Sequence, residues 1–211
     1  MFLKFPAVYL QSNMKEKIIV KASEMFLNLG FKSVTMDDIA NELGISKKTL
    51  YKYFNNKHSL VEESTATLHD SCFNIIEIIT NQGFNPIKEN FEIKKMFKEM
   101  FQNASSSPIY QLKKYYPKIY EKTMEKEIIL FTECIKINFK KGIEDGYYRK
   151  DINIDLVTKF YFALVFSVHE STSENYKLPK LEQEVLVYHT RAIATEKGLK
   201  ELEKQLKINQ L

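Results

Sequence analysis

The sequence lacks the features that mark several large classes of protein. No apolar run among its 211 residues is long enough to cross a bilayer, so we expect no membrane partner. It contains no glycine-rich phosphate loop, no paired acidic motif and no nucleophile elbow, which are the local patterns of common enzyme sites. We therefore predict no catalytic residues, no cofactor and no enzymatic activity.

Cysteine is also scarce. The two cysteines, Cys72 and Cys134, are far apart and lie in apolar helical patterns. We interpret them as buried thiols in a reducing cytoplasm, with a disulfide or a redox switch as the alternative. His69 precedes Cys72 by three residues, but no third or fourth metal ligand follows at a recognisable spacing. The sequence therefore predicts no metal site.

Residues 35–54, TMDDIANELGISKKTLYKYF, contain two short helical patterns on either side of a glycine. Thr35 and Asp38 have the spacing of a capping box, which predicts that the first helix begins there. Gly44 can adopt the left-handed conformation that ends a helix, and Ser46 is placed to cap the second helix. This arrangement predicts a helix-turn-helix.

The second of these helices has an apolar side and a polar side. Leu50 and Phe54 share the apolar side. The opposite side carries two cations, a hydroxyl and an aromatic group, namely Lys48, Lys52, Thr49 and Tyr51. Such a helix fits the major groove of DNA, where side chains meet base edges and cations meet phosphates. Ordinary solvated charge is the alternative interpretation of the two lysines.

Residues 17–60 resemble the amino-terminal domain of the TetR family of bacterial transcriptional regulators. The resemblance rests on a series of spaced positions: Ala22, Phe26, Gly30, Phe31, Thr35, Ile39, Ala40, Gly44, Ser46, Thr49, Leu50, Tyr51, Tyr53, Phe54, Lys57 and Leu60. It implies that DNA is contacted by Thr35, Ser46, Lys47, Lys48, Thr49, Tyr51, Lys52, Tyr53 and Lys57. Family members often have histidine in place of Tyr53, so no operator preference is carried over.

Positive charge is concentrated in the same part of the chain. Residues 1–60 carry nine lysines and five acidic residues, whereas residues 61–211 carry 22 basic and 22 acidic residues. Arginine is rare, with two residues against 29 lysines. We therefore expect DNA affinity to depend mainly on contacts between ammonium groups and phosphates, and to fall steeply with salt.

The chain is predicted to be all-α and to have three parts. Residues 1–13 form an N-terminal extension, residues 14–60 the three-helix DNA-binding domain, and residues 61–211 a larger helical domain. The apolar stripe of the first helix comprises Ile18, Ala22, Met25, Phe26 and Leu29. The extension does not have the pattern of a signal peptide. Either Met14 is the native start, or the extension is an arm that packs on the protein or reaches along DNA.

Three further patterns organise the larger domain. A long helix begins at Asn55 or Asn56 and joins the two domains. A helix that Asp151 or Asn153 caps, and that runs to about residue 170, is apolar on nearly every side. The last pattern predicts one helix over about 181–206. Because a helix that is apolar all round must be covered all round, we predict that these final two helices form a dimeric four-helix bundle. The predicted interface residues are Phe162, Phe166, Val185, Tyr188 and Ala192.

The resemblance also implies an apolar effector cavity in the larger domain. The residues that it suggests are Phe97, Met100, Phe101, Tyr110, Tyr116, Tyr120, Phe131, Phe160 and His169. An effector would favour one setting of the long helix, separate the two recognition helices and weaken DNA binding. For each of these residues, ordinary core packing is the alternative.

Sequence and resemblance together predict a cytoplasmic homodimer that binds a palindromic operator in double-stranded DNA. They predict a repressor that a small, largely apolar effector releases, although repression rather than activation is implied by the resemblance alone. The alternative is a helical ligand-sensing or protein-interaction protein whose helix-turn-helix does not read DNA.

Overall fold

The computed structural model describes residues 13–101, 108–170 and 178–209. In those ranges the chain forms ten helices: α1 (Met14–Leu29), α2 (Met36–Glu42), α3 (Lys47–Tyr53), α4 (Lys57–Thr80), α5 (Pro86–Phe101), α6 (Pro108–Tyr115), α7 (Pro117–Glu144), α8 (Ile154–Glu170), α9 (Leu178–Ile193) and α10 (Glu196–Ile208). The all-α prediction is confirmed. None of the described helices combines the length and the apolarity that crossing a membrane requires. The predicted extension lies outside the described residues, apart from Asn13.

The chain divides into two compact units. The first contains the described residues of Met1–Asn74 and Glu99–Met124, and the second contains those of Ile75–Lys98 and Glu125–Leu211. The helices α4, α5 and α7 each contribute to both units. The contacts within the chain therefore do not divide at residue 60. The boundary predicted there, as a division between functions, stays a prediction.

The core of the first unit joins the helix-turn-helix to later helices. Leu112 of α6 and Ile119 of α7 are buried in the same cluster as the residues of α1–α4. They supply apolar cover to a three-helix core that is thin by itself. The prediction that Leu29 lies on the buried stripe of α1 is wrong, because its side chain is 58% exposed. Phe31 closes that end of the core instead, and its ring stacks on Phe26 at 5.4 Å between centroids.

The core of the second unit is organised around Tyr148, which follows α7. The Tyr148 hydroxyl donates to Asn138 Oδ1 at 3.1 Å and accepts from Asn90 Nδ2 at 3.3 Å. Its ring occupies the space that a Cβ on Gly142 would need. Burial raises the pKa of Tyr148 well above its ordinary value, so the hydroxyl stays protonated and can donate.

The prediction of one helix over 181–206 is wrong, because α9 ends at Ile193 and α10 begins at Glu196. Between them, Ala194 pairs with Tyr148 in an isolated bridge. Thr195 then caps α10, since its Oγ1 accepts from Gly198 N–H at 3.2 Å and donates to the Gly146 carbonyl at 2.7 Å. The interruption thus fastens the C-terminal helix to the turn after α7.

His189 on α9 lies among aromatic rings in the second unit. Its imidazole stacks on Tyr161 at 4.3 Å and on Phe139 at 5.3 Å between centroids. The side chain is 5% exposed, and its Nε2 has no hydrogen-bond partner among the described residues. Burial lowers the pKa of His189 from 6.5 to about 4, so the ring is neutral near pH 7.

Replacing Gly142 with alanine is expected to destabilise the protein, although alanine favours a helix by ~1 kcal/mol over glycine. The new methyl group would collide with the Tyr148 ring, and overpacking of this kind costs about 1–3 kcal/mol. The free energy of unfolding in urea measures the effect. Gly146→Asn is the control, because Gly146 has open space and a φ of 73° that asparagine tolerates. Equal stability of Gly142→Ala and the native protein would contradict the packing described.

Lowering the pH from about 6.5 to about 4 is expected to reduce stability through His189. In this window the unfolded chain binds a proton that the folded chain excludes, so the free energy of unfolding rises with pH. The full contribution is on the order of 3 kcal/mol. His189→Phe should lose this part of the pH dependence in urea unfolding curves, whereas replacing the exposed His58 by glutamine should keep it. A dependence unchanged in His189→Phe would contradict this expectation.

Candidate nucleic-acid interface

The helix α3 is held in place by its apolar side. Leu50 is fully buried, and Phe54 at the end of the helix is 1% exposed. Both lie in the core of the first unit. Because a helix of seven residues is not stable alone, this packing fixes its position and orientation.

The start of α2 and the turn between α2 and α3 have the geometry that the sequence predicts. The Thr35 hydroxyl accepts from Asp38 N–H at 3.2 Å, and the Asp38 carboxylate accepts from Thr35 N–H at 2.8 Å, which completes the capping box. Gly44 has a φ of 64°, and Ser46 Oγ accepts from Thr49 N–H at 3.0 Å. These local predictions are confirmed.

The outer face of α3 is exposed and carries mostly cationic and aromatic groups. Its exposed residues are Lys47, Lys48, Tyr51, Lys52 and Tyr53, and Thr49 is half-buried beside them. The residues Tyr51 and Tyr53 are 40% and 42% exposed, although burial of an aromatic side chain is favourable. A face of this composition, supported by a packed core, is suited to contacts with a polyanion.

The lysines predicted to contact DNA differ in whether they already form ion pairs within the protein. Lys47 forms an ion pair with Asp37 at 2.8 Å, and the hydrogen bond between them raises the pKa of Lys47. In the part of the chain that the structure describes, Lys48 and Lys52 have no such pair. Since their ammonium groups have no carboxylate to leave, they are the lysines of α3 best placed to meet phosphates.

The hydroxyls of Thr35 and Ser46 serve mainly as helix caps. Thr35 Oγ1 also donates to the Asp38 carboxylate at 2.7 Å, and Ser46 Oγ lies 2.8 Å from Thr49 Oγ1. Their first role is therefore to orient the helices. The exposed side chains of the predicted set on α3 that have neither a capping role nor an ion pair among the described residues are Lys48, Tyr51, Lys52 and Tyr53.

Lys57 lies at the start of α4. Asn56 caps this helix, because its Oδ1 accepts from Ser59 N–H at 2.9 Å. The Lys57 ammonium donates to the Lys32 carbonyl at 3.2 Å and lies 6.0 Å from the centroid of the Phe26 ring. Burial lowers the pKa of Lys57. The helix N-terminus and the lysine together present positive potential beside the helix-turn-helix.

The comparisons with known proteins agree with this geometry. Residues 18–64 match the sequence profile of bacterial regulatory proteins of the tetR family. The chain is 30% identical over 138 residues to IcaR, the negative transcriptional regulator of the biofilm operon icaADBC in Staphylococcus aureus strain Newman, and the match covers 61% of this chain and 74% of IcaR. The chain belongs to the TetR family. As a member, it is a DNA-binding transcriptional regulator.

Two further comparisons cover most of the chain. The transcriptional repressor KstR2 of Mycolicibacterium smegmatis is 26% identical over 152 residues, which are 69% of this chain and 73% of KstR2. The crystal structure of a transcriptional regulator from Cytophaga hutchinsonii superposes with a TM-score of 0.68 at 22% identity, covering 85% of this chain and 98% of that one. This second likeness shows the shared fold.

The residues that the resemblance suggested for an effector cavity are divided between the two units. Met100, Tyr110, Tyr116 and Tyr120 belong to the first unit, and Phe97, Phe131 and Phe160 belong to the second. Tyr116 and Tyr120 pack on the core of the helix-turn-helix. Phe160 is 63% exposed. The side chains of Phe101 and His169 lie outside the part of the chain that the structure describes.

The predicted dimer residues lie on two helices that pack against each other, α8 and α9. Tyr188 is 68% exposed, and Ala192 is also exposed. Val185, Phe162 and Phe166 are half-buried. The Phe162 ring lies 5.7 Å from that of Phe131 and 4.1 Å from that of Phe166, so it faces other aromatic groups of the same chain.

The sequence did not predict ion pairs and hydrogen bonds between residues that are distant along the chain. Asp37 engages Lys47 across the helix-turn-helix, ten residues away, and helical spacing gives no sign of this pair. Gln111 accepts from Phe31 N–H at 2.9 Å across 80 residues. Among the described residues, no group of three or more metal-ligating side chains is placed to hold a metal ion.

Proposed function

We propose that this TetR-family protein acts in the cytoplasm as a homodimeric repressor and binds a palindromic operator through α3. The observation that carries the proposal is the outer face of α3, where Lys48 and Lys52 have no ion pair among the described residues and the helix behind them is anchored by buried Leu50. The relatives IcaR and KstR2, named as a negative regulator and a repressor, support repression.

Two features support the homodimer, namely the apolar surface of the second unit and the demands of DNA recognition. Leu156 and Phe160 on α8 are 48% and 63% exposed, and Tyr188 on α9 is 68% exposed. Large exposed side chains of this kind favour an interface. One short helix reads few base pairs, whereas two related by a twofold axis read a palindrome with useful affinity.

The geometry favours exchanging the roles predicted for Phe160 and Phe162. Phe160, suggested for the effector cavity, lies on the exposed side of α8 and fits the dimer interface. Phe162, predicted for the interface, faces Phe131 within its own chain and fits the wall of an effector site. Tyr161 stacks on Phe131 at 6.1 Å. Under this proposal these rings would pack against a small, largely apolar effector.

Selection of binding sites from a random duplex library with the full-length protein tests DNA recognition. The native protein is expected to enrich a palindrome. Lys48→Ala with Tyr51→Ala should lower affinity for that site on the order of tenfold or more, because each subunit then lacks a cation and a groove-facing aromatic ring. The salt dependence of binding should become shallower by about 0.9 for each phosphate that the variant no longer neutralises.

Lys140→Ala is the control for this experiment, because Lys140 is an exposed lysine on α7 in the second unit. It should bind the selected site as the native protein does. Circular dichroism establishes that each variant is folded. If the folded native protein enriches no sequence at low salt, even after bound small molecules are stripped, the operator proposal fails and the interaction-protein alternative gains support.

The dimer proposal predicts that Phe160→Glu yields a monomer. The substitution places two carboxylates near the twofold axis of an apolar interface, where burial of charge is costly. Light scattering coupled to size-exclusion chromatography measures the mass. Ile129→Glu is a matched control, because Ile129 is 64% exposed on α7, outside the proposed face. A Phe160→Glu protein that remains dimeric would refute the assignment of α8 to the interface.

A further inference from the structure

Lysine and tyrosine side chains continue from the start of α4 onto α6 in the first unit. The Lys32 ammonium, on the turn between α1 and α2, lies 5.6 Å from the centroid of the Tyr115 ring. The Lys114 ammonium lies 5.4 Å from the same centroid. Both lysines are exposed, and the Tyr115 side chain is 37% exposed. One accessible ring is thus flanked by two cations.

This cluster is joined to the helix-turn-helix by hydrogen bonds. The Lys32 carbonyl accepts from the Lys57 ammonium at 3.2 Å. The Phe31 N–H donates to Gln111 Oε1 at 2.9 Å, which fastens α6 to the turn that carries Lys32. Gly30 permits this approach, because a Cβ there would lie 2.6 Å from the same Gln111 oxygen. The backbone of the turn that carries Lys32 is therefore held close to both α6 and Lys57.

The cluster carries positive charge that no carboxylate of the described residues neutralises. Within the described residues, neither Lys32 nor Lys114 has a carboxylate at ion-pair distance. Other lysines of this unit do, since Lys15 pairs with Glu63 at 2.6 Å and Lys122 pairs with Glu62 at 2.6 Å.

A role in helix stability explains only part of this cluster. Lys114 lies in the last turn of α6, where a cation is favourable beside the helix C-terminus. Lys32 lies on a different element and gains nothing from that dipole. The Lys114 ammonium also lies 5.6 Å from the centroid of the Tyr110 ring. These contacts with rings leave the positive charge of both ammonium groups in place.

We propose that Lys32, Lys114 and Tyr115 bind phosphates of duplex DNA outside the half-site that α3 reads. The proposal rests on the proposed operator binding and adds a second contact surface to it. Continuity with Lys57, which lies beside the helix-turn-helix, and complementary charge favour the DNA backbone as the occupant. The ring holds the two ammonium groups by cation–π attraction, and its hydroxyl can donate to a phosphate oxygen.

The test compares two duplexes, both carrying the palindrome selected by the native protein. The short duplex ends at the palindrome, and the long duplex adds about ten base pairs, one helical turn, of arbitrary sequence on each side. The native full-length protein should bind the long duplex more tightly. Lys32→Gln with Lys114→Gln should lose this advantage and still bind the short duplex as the native protein does. Its salt dependence on the long duplex should become shallower by about 0.9 for each phosphate that the two lysines no longer neutralise.

Lys140→Gln with Lys150→Gln removes the same charge from exposed lysines of the second unit and should keep the preference for the long duplex. The proposal is overturned if the Lys32 and Lys114 variant retains that preference, if the native protein has none, or if the variant loses affinity equally on both duplexes. The last outcome would mean that the cluster orients the helix-turn-helix. Failure of the native protein to bind even the short duplex would instead reject operator binding itself.

Discussion

The proposed DNA-binding surface depends on the burial of two side chains, one within α3 and one at its end. Leu50 and Phe54 are almost completely inaccessible, in a core that α1, α2 and α4 share with parts of α6 and α7. A helix of seven residues forms too few hydrogen bonds to persist alone. The Ser46 cap and this burial fix its orientation, so that the lysines and tyrosines on the other side are presented from a rigid support.

The helix-turn-helix was predictable from the sequence because the groups that begin and end its helices are close together along the chain. The Thr35 and Asp38 box, the left-handed Gly44 and the Ser46 cap are all local signals. Contacts between distant elements leave no such signal. The bond from Phe31 to Gln111 depends on how α6 docks, which neither periodicity nor capping indicates.

Periodicity also shows which residues share a face without showing what covers that face. The aromatic residues of the larger domain were therefore hard to assign. Tyr116 covers the core of the helix-turn-helix, whereas Phe160 is exposed on α8. The break at Thr195 was missed for a related reason, since the apolar pattern continues through it. The chain leaves the helix there to pair with the segment after α7, and this gain depends on tertiary structure.

Control by an effector would require that a conformational change in the second unit alters the position of α3. The helix α4 can transmit such a change. This helix continues from the second unit into the first and begins three residues after Phe54. Its residues Leu60 and Val61 are fully buried in the same cluster as Leu50. If α4 moved and α3 did not follow, a cavity would open between them, and cavities in a packed core cost several kcal/mol. The same packing that holds α3 rigid therefore favours its movement together with α4.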